Sequence, residues 1–511
     1  MVTMITAEEL SQKSAQEIFV LICALHQQLQ DKENEISQLR HHLNLLLQNT
    51  YGRKSEQMEN LPSDELFNEA ESADPSGEAI PEVEEASESI RKKPGRKPLP
   101  REWPRRRQEY DLPDEEKICH CGCSLTKIGE ELSEQLEFIP AHFEVIEHAR
   151  FKYACKKCEE TIKTAQGPLS PIPKSVASPT LLAYILVSKF QDHLPLYRQE
   201  QMFNRIGIDL PRNTLSAWVI RCGERLHPLW EAMKKIQIQY DIGYADETPV
   251  QVLKEKERPA ESRSYMWLFV GGSPEQRTFI YEYQPTRGQC VPKAHWQGFQ
   301  GYLHTDGYAA YTALFSTAPI QGVHCWAHAR RKFVDIIKAN PCAKTGLSHW
   351  AVAHIAKLYR IEREAKEKGL LPDAIKQLRQ ERATPLLEEM KDWLDKNIDR
   401  TLPRSPIGKA LAYCLKYWNN LIRYLEDGRL DIDNNLSERA IKPFATGRKN
   451  WLFADTPRGA HAAAVIFSLI ETCKAHHIEP YTYLKTILQK IPYSTTEQDY
   501  FNLLPFHFKF K

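Results

Sequence analysis

Between Glu59 and Glu88 acidic residues recur without a single Lys or Arg, and directly behind them the sign of the charge reverses. No hydrophobic core can be drawn through such a stretch. Its like charges repel, Pro, Ser and Ala fill the gaps, and too little apolar surface is available to offset the entropy of ordering it. It therefore reads as a disordered linker that divides the 511-residue chain. After it, Arg91, Lys92, Lys93, Arg96, Lys97, Arg101, Arg105, Arg106 and Arg107 surround Pro94, Gly95, Pro98 and Pro100. An extended basic arm of this kind suits phosphates or a minor groove, Arg96 and Lys97 among its contacts, or else it is a solvated linker that balances the acidic run. The net charge of +1 conceals this segregation. The length exceeds what one core serves, so three or more folded units are expected. At 42% hydrophobic and 26% charged residues, the composition is that of a globular protein in water.

Before the acidic run, Ile22, Leu29, Ile36 and Leu43 occupy one heptad position and Ile18, Leu25, Leu39 and Leu46 the other, with Lys32 as the polar interruption. This is a coiled-coil seam, and it predicts a homodimer or higher oligomer; one amphipathic helix packed on its own protein is the alternative. The apolar run Phe19 to Leu25 is too short to span a bilayer and lacks a basic leader, so neither export nor a membrane is expected. Several of the twelve cysteines stand alone, which argues against a disulfide framework and for a reducing cytoplasm, with association to the nucleoid if DNA is the partner. Two clusters differ: Cys119, Cys121 and Cys123, then Cys155 and Cys158 across a strand-like stretch holding Phe138, Ile139, Phe143, Val145 and Ile146. The pair Cys155 and Cys158 is a regular knuckle, and Cys119 with either Cys121 or Cys123 completes four thiolates for one structural Zn2+. A small zinc-stapled β module is predicted.

From Pro179 the pattern turns helical: Leu181 to Phe190, Leu196 to Ile206, a turn at Gly207, and Pro211 to Leu226 with Asn213 and Thr214 in cap-like positions. The second helix of such a pair commonly enters the major groove, which makes Arg212, Asn213 and Arg221 candidate DNA contacts; a plain packing unit is the alternative. Strands follow at Tyr240 to Ala245, Tyr265 to Val270, Thr278 to Tyr283 and Gly301 to Thr305. Asp246 follows the first and Asp306 the fourth. Glu438 lies far downstream, one helical turn from Asn434, with Arg439, Arg448 and Lys449 nearby to counter phosphate charge. Three such carboxylates are the hard ligands that two Mg2+ (or Mn2+) ions about 4 Å apart require to clamp a phosphodiester.

The chain resembles the TnpC transposases of insertion sequence family sixty-six, of the DDE superfamily, along nearly its full length. The matching stretches are Tyr51 to Glu56, the two cysteine clusters, Ala245 to Pro249, Thr305 to Tyr308, Cys325 to Phe333, Asp433 to Ile441 and Gly447 to Trp451. The resemblance implies that Asp246, Asp306 and Glu438 are an acidic triad, that the partners are terminal inverted repeats and target DNA, and that two small accessory proteins accompany the element. Cys325 and His328, preceded by His324, form a CxxH group that serves either as a soft-metal pair or as support behind the acids, with Arg330 and Arg331 on DNA phosphates.

The expected architecture is a multidomain α/β protein: a ribonuclease-H-like catalytic domain with a helical insertion, preceded by coiled coil, zinc-binding module and helix-turn-helix. The divisions are 1–50 coiled coil, 51–107 acidic linker and basic arm, 108–175 zinc module, 176–236 helix-turn-helix, 237–340 first part of the catalytic core, 341–428 helical insertion, 429–490 second part, and 491–511 tail. In the insertion, Trp393, Tyr413, Tyr417, Trp418 and Tyr424 either stack on bases or form core. The expected activity is metal-dependent cleavage of DNA and joining of 3′ hydroxyl ends. A DNA-binding regulator without turnover and a nuclease without strand transfer are the competing functions.

Overall fold

Apolar alternation forms a strand only where a partner offers hydrogen bonds, and both outcomes occur. The computed structural model describes residues 143–154, 162–317, 319–340 and 345–508, together with His26 and Lys32. These fall in two compact units, Pro75–Pro168 and the remainder. In the smaller unit β1 (Lys152–Ala154) pairs antiparallel with β2 (Ile162–Thr164), Tyr153 opposite Lys163. Phe143, Val145 and Ile146, expected in a strand, are instead exposed and irregular, because no strand pairs with them among the described residues. The apolar residues of the heptad seam, the acidic linker, Arg96, Lys97, Phe138, Ile139, Cys119, Cys121, Cys123, Cys155 and Cys158 lie outside the described residues.

In the larger unit α1 (Pro179–Phe190) starts at Ser178, whose hydroxyl accepts from Leu181 N at 3.3 Å. Next comes α2 (Leu196–Arg205), and Gly207 makes the following turn at φ +84°. The third helix, α3 (Arg212–Gln237), runs eleven residues beyond its predicted end at Leu226. Leu229, Trp230, Met233 and Ile236 keep the helical spacing and are buried, so packing carries the helix past Pro228. Asn213 and Thr214 are inside its first turn rather than capping it; Pro211 precedes the helix, and Arg212 N donates to Glu200 Oε1 at 2.8 Å.

Five strands follow: β3 (Ile242–Gln251), β4 (Arg263–Gly271), β5 (Thr278–Gln284), β6 (Gly301–Thr305) and β7 (Ile320–His324). Their order in the sheet is β5-β4-β3-β6-β7, antiparallel across the first three and parallel across β3, β6 and β7. Helices α4 (Cys290–His295) and α5 (Ala309–Thr317) connect the later strands. Strand β3 does not stop at Ala245, because Glu247 to Gln251 pair with Trp267 to Arg263; Asp246 is therefore inside the strand, not after it. Strand β7 escaped the sequence reading.

After β7 come α6 (Trp326–Ala339), α7 (Leu347–Glu367), α8 (Pro372–Leu378), a π-helical turn (Arg379–Ala383), α9 (Thr384–Ile398), α10 (Pro406–Lys416) and α11 (Trp418–Ile422). The aromatic residues of this helical region pack internally. Trp393 stacks on Trp350 at 4.4 Å, Trp418 meets Trp326 edge-on, and Tyr424 is buried. The chain then returns as α12 (Asn435–Trp451), α13 (Pro457–Ala475), α14 (Pro480–Lys490) and α15 (Glu497–Asn502). The last segment is no loose tail: Thr496 and Asp499 cap α15 reciprocally and Leu504 is fully buried.

Edge strand β5 needs a cover for its outward N–H groups, and α13 supplies it. Ser468 Oγ accepts from Tyr281 N at 2.8 Å and Thr472 Oγ1 from Phe279 N at 3.1 Å. On its other side α13 meets α3 at Gly223, where an added Cβ would lie 2.5 Å from Ala462 Cβ and 2.6 Å from Ala462 Cα. Helix propensity disfavours this glycine by about 1 kcal/mol relative to alanine, so close approach explains it. Gly223→Val is expected to lower stability by about 1–3 kcal/mol, read from the denaturation midpoint; an unchanged midpoint would refute the close packing.

His304 on β6 is buried against Tyr244, ring centroids 4.5 Å apart, and burial pushes its pKa down to about 4. The unfolded chain takes up this proton near pH 6.5 and the folded chain does not. Stability contributed by the neutral ring is complete above about pH 6.5 and is lost as pH falls towards 4, by about 1.4 kcal/mol per pH unit. Unfolding midpoints measured from pH 8 to pH 4 are expected to show that decline, and His304→Phe to flatten it by one proton. No helix among the described residues is long and apolar enough to cross a membrane.

Candidate active site

Strand register brings the first two acids together. Tyr244 on β3 stands opposite His304 on β6, and Asp246 and Asp306 each follow two residues later, at the same end of neighbouring parallel strands. Asp306 Oδ1 accepts from Tyr308 N at 3.0 Å, which fixes the loop leaving β6. The third acid arrives by a different device. Glu438 sits in the first turn of α12, and the start of that helix is fastened at several points. Asn434 Nδ2 donates to Ala245 O at 3.1 Å, one residue from Asp246; Asn434 N donates to Cys325 Sγ at 3.2 Å; and Trp326 N donates to Ile432 O at 3.2 Å. Asn434 thus acts as a buried strut behind Glu438.

The acids feel one another. Burial lifts the Asp246 carboxyl well above its ordinary range, and Glu247, Glu438 and Asp306 add to the lift. Burial also raises Glu438, with Arg331 opposing. Around Glu438, His328 Nδ1 lies 3.4 Å from Oε1 and Arg331 Nη2 lies 3.5 Å from Oε2. Burial, followed by Arg331, depresses the His328 ring to about 4. Carboxylates coupled in this way are hard oxygen donors of the kind a divalent cation takes, and its charge would relieve their repulsion.

Other candidates divide. Arg212, Asn213 and Arg221 are exposed on the first half of α3, and Arg439 and Lys449 are exposed on α12. Arg330 is buried, so the expected phosphate contact is withdrawn for it; Arg331, its partly exposed neighbour, faces Glu438. Arg448 is also committed within the protein, donating to Thr248 Oγ1 at 3.1 Å and to Pro249 O, which ties α12 to β3. His324 is buried beside Tyr417, 4.6 Å between centroids, and burial pushes it down to about 3, so it supports by packing.

The sequence reading missed a network next to the acids. Glu247 is almost wholly buried, with its side chain 2% exposed. It accepts from Arg287 Nε at 2.8 Å, from Arg287 Nη2 at 2.5 Å and from Tyr311 hydroxyl at 2.7 Å. Arg287 lies over the Tyr308 ring at 3.8 Å, and the Tyr308 hydroxyl donates to Arg287 O at 3.0 Å. Tyr308 is the residue whose N–H holds Asp306, so the network connects both strand-borne acids. An acid beside Asp246 was the available signal; its partners, distant in sequence, gave none.

Comparison with known proteins agrees along the chain. The family model described as "Transposase IS66 family" matches residues 174–462. The "zinc-finger binding domain of transposase IS66" matches 116–159, the "IS66 C-terminal element" matches 468–506, and "Transposase C of IS166 homeodomain" matches 38–107. Uncharacterized protein y4hP of Sinorhizobium fredii is 33% identical over 442 residues, covering 82% of this chain and 78% of its own length. Uncharacterized protein y4qI of the same organism is 31% identical over 498 residues, covering 93% and 89%.

Proposed function

Since the chain belongs to the IS66 family of transposases, we propose that Asp246, Asp306 and Glu438 form the acidic triad of a DDE enzyme that cuts element ends and joins their 3′ hydroxyls to target DNA. The observation that carries this is the shared register offset of Asp246 and Asp306, with the Glu438 helix fastened to Ala245. The strand order, three antiparallel then two parallel, supports a ribonuclease-H-like core, and 341–428 reads as an insertion between the second and third acids.

The three carboxylates would hold two Mg2+ or Mn2+ ions, which when bound activate the attacking oxygen and stabilise the leaving one. The protein's own residues do the rest. Asn434 and the Glu247, Arg287 and Tyr308 network keep the acids oriented, and Arg331, Arg439 and Lys449 attract the phosphate backbone. Arg212, Asn213 and Arg221 are read as groove contacts of α3. The zinc-finger match supports a zinc ion, for which we assign Cys155, Cys158, Cys119 and either Cys121 or Cys123. The heptad seam argues for dimers on DNA.

Incubation of full-length protein with labelled terminal repeats, supercoiled target and magnesium tests the reading by gel analysis. Joined products are expected. Binding without cutting would leave a regulator, and cutting without joining a nuclease; both would overturn the proposal.

A further inference from the structure

Cys325 precedes α6 and His328 lies in its first turn, three residues on, so both face one side of the helix start. Opposite them, in the first turn of α12, is Glu438. The thiol sulfur, an imidazole nitrogen and a carboxylate oxygen of these residues all lie within 4.8 Å of one another. His328 Nδ1 and Glu438 Oε1 are 3.4 Å apart, and both are buried atoms without a hydrogen-bond partner. Facing buried polar atoms left unsatisfied in this way call for a third body between them.

The donor set says what kind, and the one known spacing agrees. Tetrahedral bonds of about 2.0–2.1 Å from nitrogen and oxygen to zinc put the two ligand atoms about 3.3–3.4 Å apart. The sulfur is held in place as well, since Cys325 Sγ accepts the N–H of Asn434 at 3.2 Å. Sulfur with imidazole selects a borderline or soft cation, not magnesium. Three protein ligands leave a fourth position for water or another donor.

We propose that Cys325 Sγ, His328 Nδ1 and Glu438 Oε1 form a binding site for a zinc-class divalent cation, separate from the zinc-finger module, and that its occupation competes with magnesium for Glu438. With zinc on Oε1 and Arg331 beside Oε2, neither oxygen of Glu438 remains for the hard-ion site. The site stands on geometry alone; only the competition rests on the catalytic reading of Glu438.

Zinc content and affinity are measured on the full chain, by elemental analysis and chelator competition, for wild type, Cys325→Ser and His328→Gln. The cysteine-rich module contributes equally to all three. Each variant is expected to hold one equivalent less than wild type, or to need at least about tenfold more free zinc to fill it. Cobalt(II) loading should show a thiolate charge-transfer band in wild type that is reduced in Cys325→Ser. His328 is half-exposed, so its variant stays informative if loss of the buried thiol disturbs folding. Equal zinc content and affinity in all three proteins would overturn the site. In magnesium-driven cleavage, the half-inhibitory zinc concentration should rise about tenfold or more in His328→Gln; inhibition that persists unchanged after the extra zinc is lost would overturn the competition. Extra zinc bound by a wild type that never cleaves would sink the catalytic reading and leave the site intact.

Discussion

Asp306→Asn is expected to lower magnesium-dependent cleavage at element ends by at least about a thousandfold, a loss of about 4 kcal/mol of transition-state stabilisation. Binding of the same ends should stay within about twofold. The substitution is conservative for the fold, because Asn keeps an oxygen able to accept the Tyr308 N–H that fixes this loop. It removes the negative charge that a divalent ion needs. Asp246→Asn should match it, and the double variant should be little worse than either, since groups acting as a unit are not additive. Labelled-end cleavage with a parallel mobility-shift titration reads both quantities. Retained cleavage by Asp306→Asn would remove it from the metal site and break the triad.

The acids could be picked out as candidates because each sits in a motif whose local form is dictated by neighbours in sequence. An aspartate after a run of strand-forming residues, or a glutamate one turn into a helix with basic residues around it, is visible to a reader of periodicity. The end of β3 was not. The predicted strand ends at Ala245, and pairing with β4 keeps Glu247 to Gln251 extended beyond it. The run Ile320 to His324 is short and was passed over, and it becomes a strand by pairing with β6. The extension of α3 past Leu226 has the same origin, since burial of Trp230 and Met233 decides it.

Side-chain partnerships were the least legible layer. Arg330 and Arg331 are adjacent and look alike in the chain, yet one is buried and the other faces Glu438. Helical phase separates them, and phase is fixed only once Trp326 and Phe333 have chosen the core side. Arg448 likewise reads as a phosphate ligand until β3 is seen to run beneath it. For Arg448 a charge read as a ligand for DNA is held within the protein by partners far away in sequence, and for Arg330 burial withdraws it.

Arg379→Ala is expected to reduce stability by about 3–5 kcal/mol and to disturb the approach to the third acid. Arg379 is buried on the π-helical turn and uses its fork fully. Nε and Nη2 grip Glu362 at 2.8 and 2.7 Å, Nη1 donates to Tyr424 O and Asp427 O at 2.7 and 2.9 Å, and Nη2 donates to Leu430 O at 2.8 Å. Truncation would leave a carboxylate and three carbonyls without these bonds, and the segment Tyr424 to Leu430 leads directly to α12. Arg379→Lys should recover little, because an ammonium cannot reproduce a planar fork serving five acceptors. Arg379→Ala with Glu362→Leu should recover part of the loss by removing the stranded charge. Denaturant midpoints followed by tryptophan fluorescence measure the stability, and cleavage assayed well below the midpoint separates a misplaced Glu438 from simple unfolding. A lysine variant as stable as wild type would show that charge alone, not the geometry of the fork, holds this segment in place.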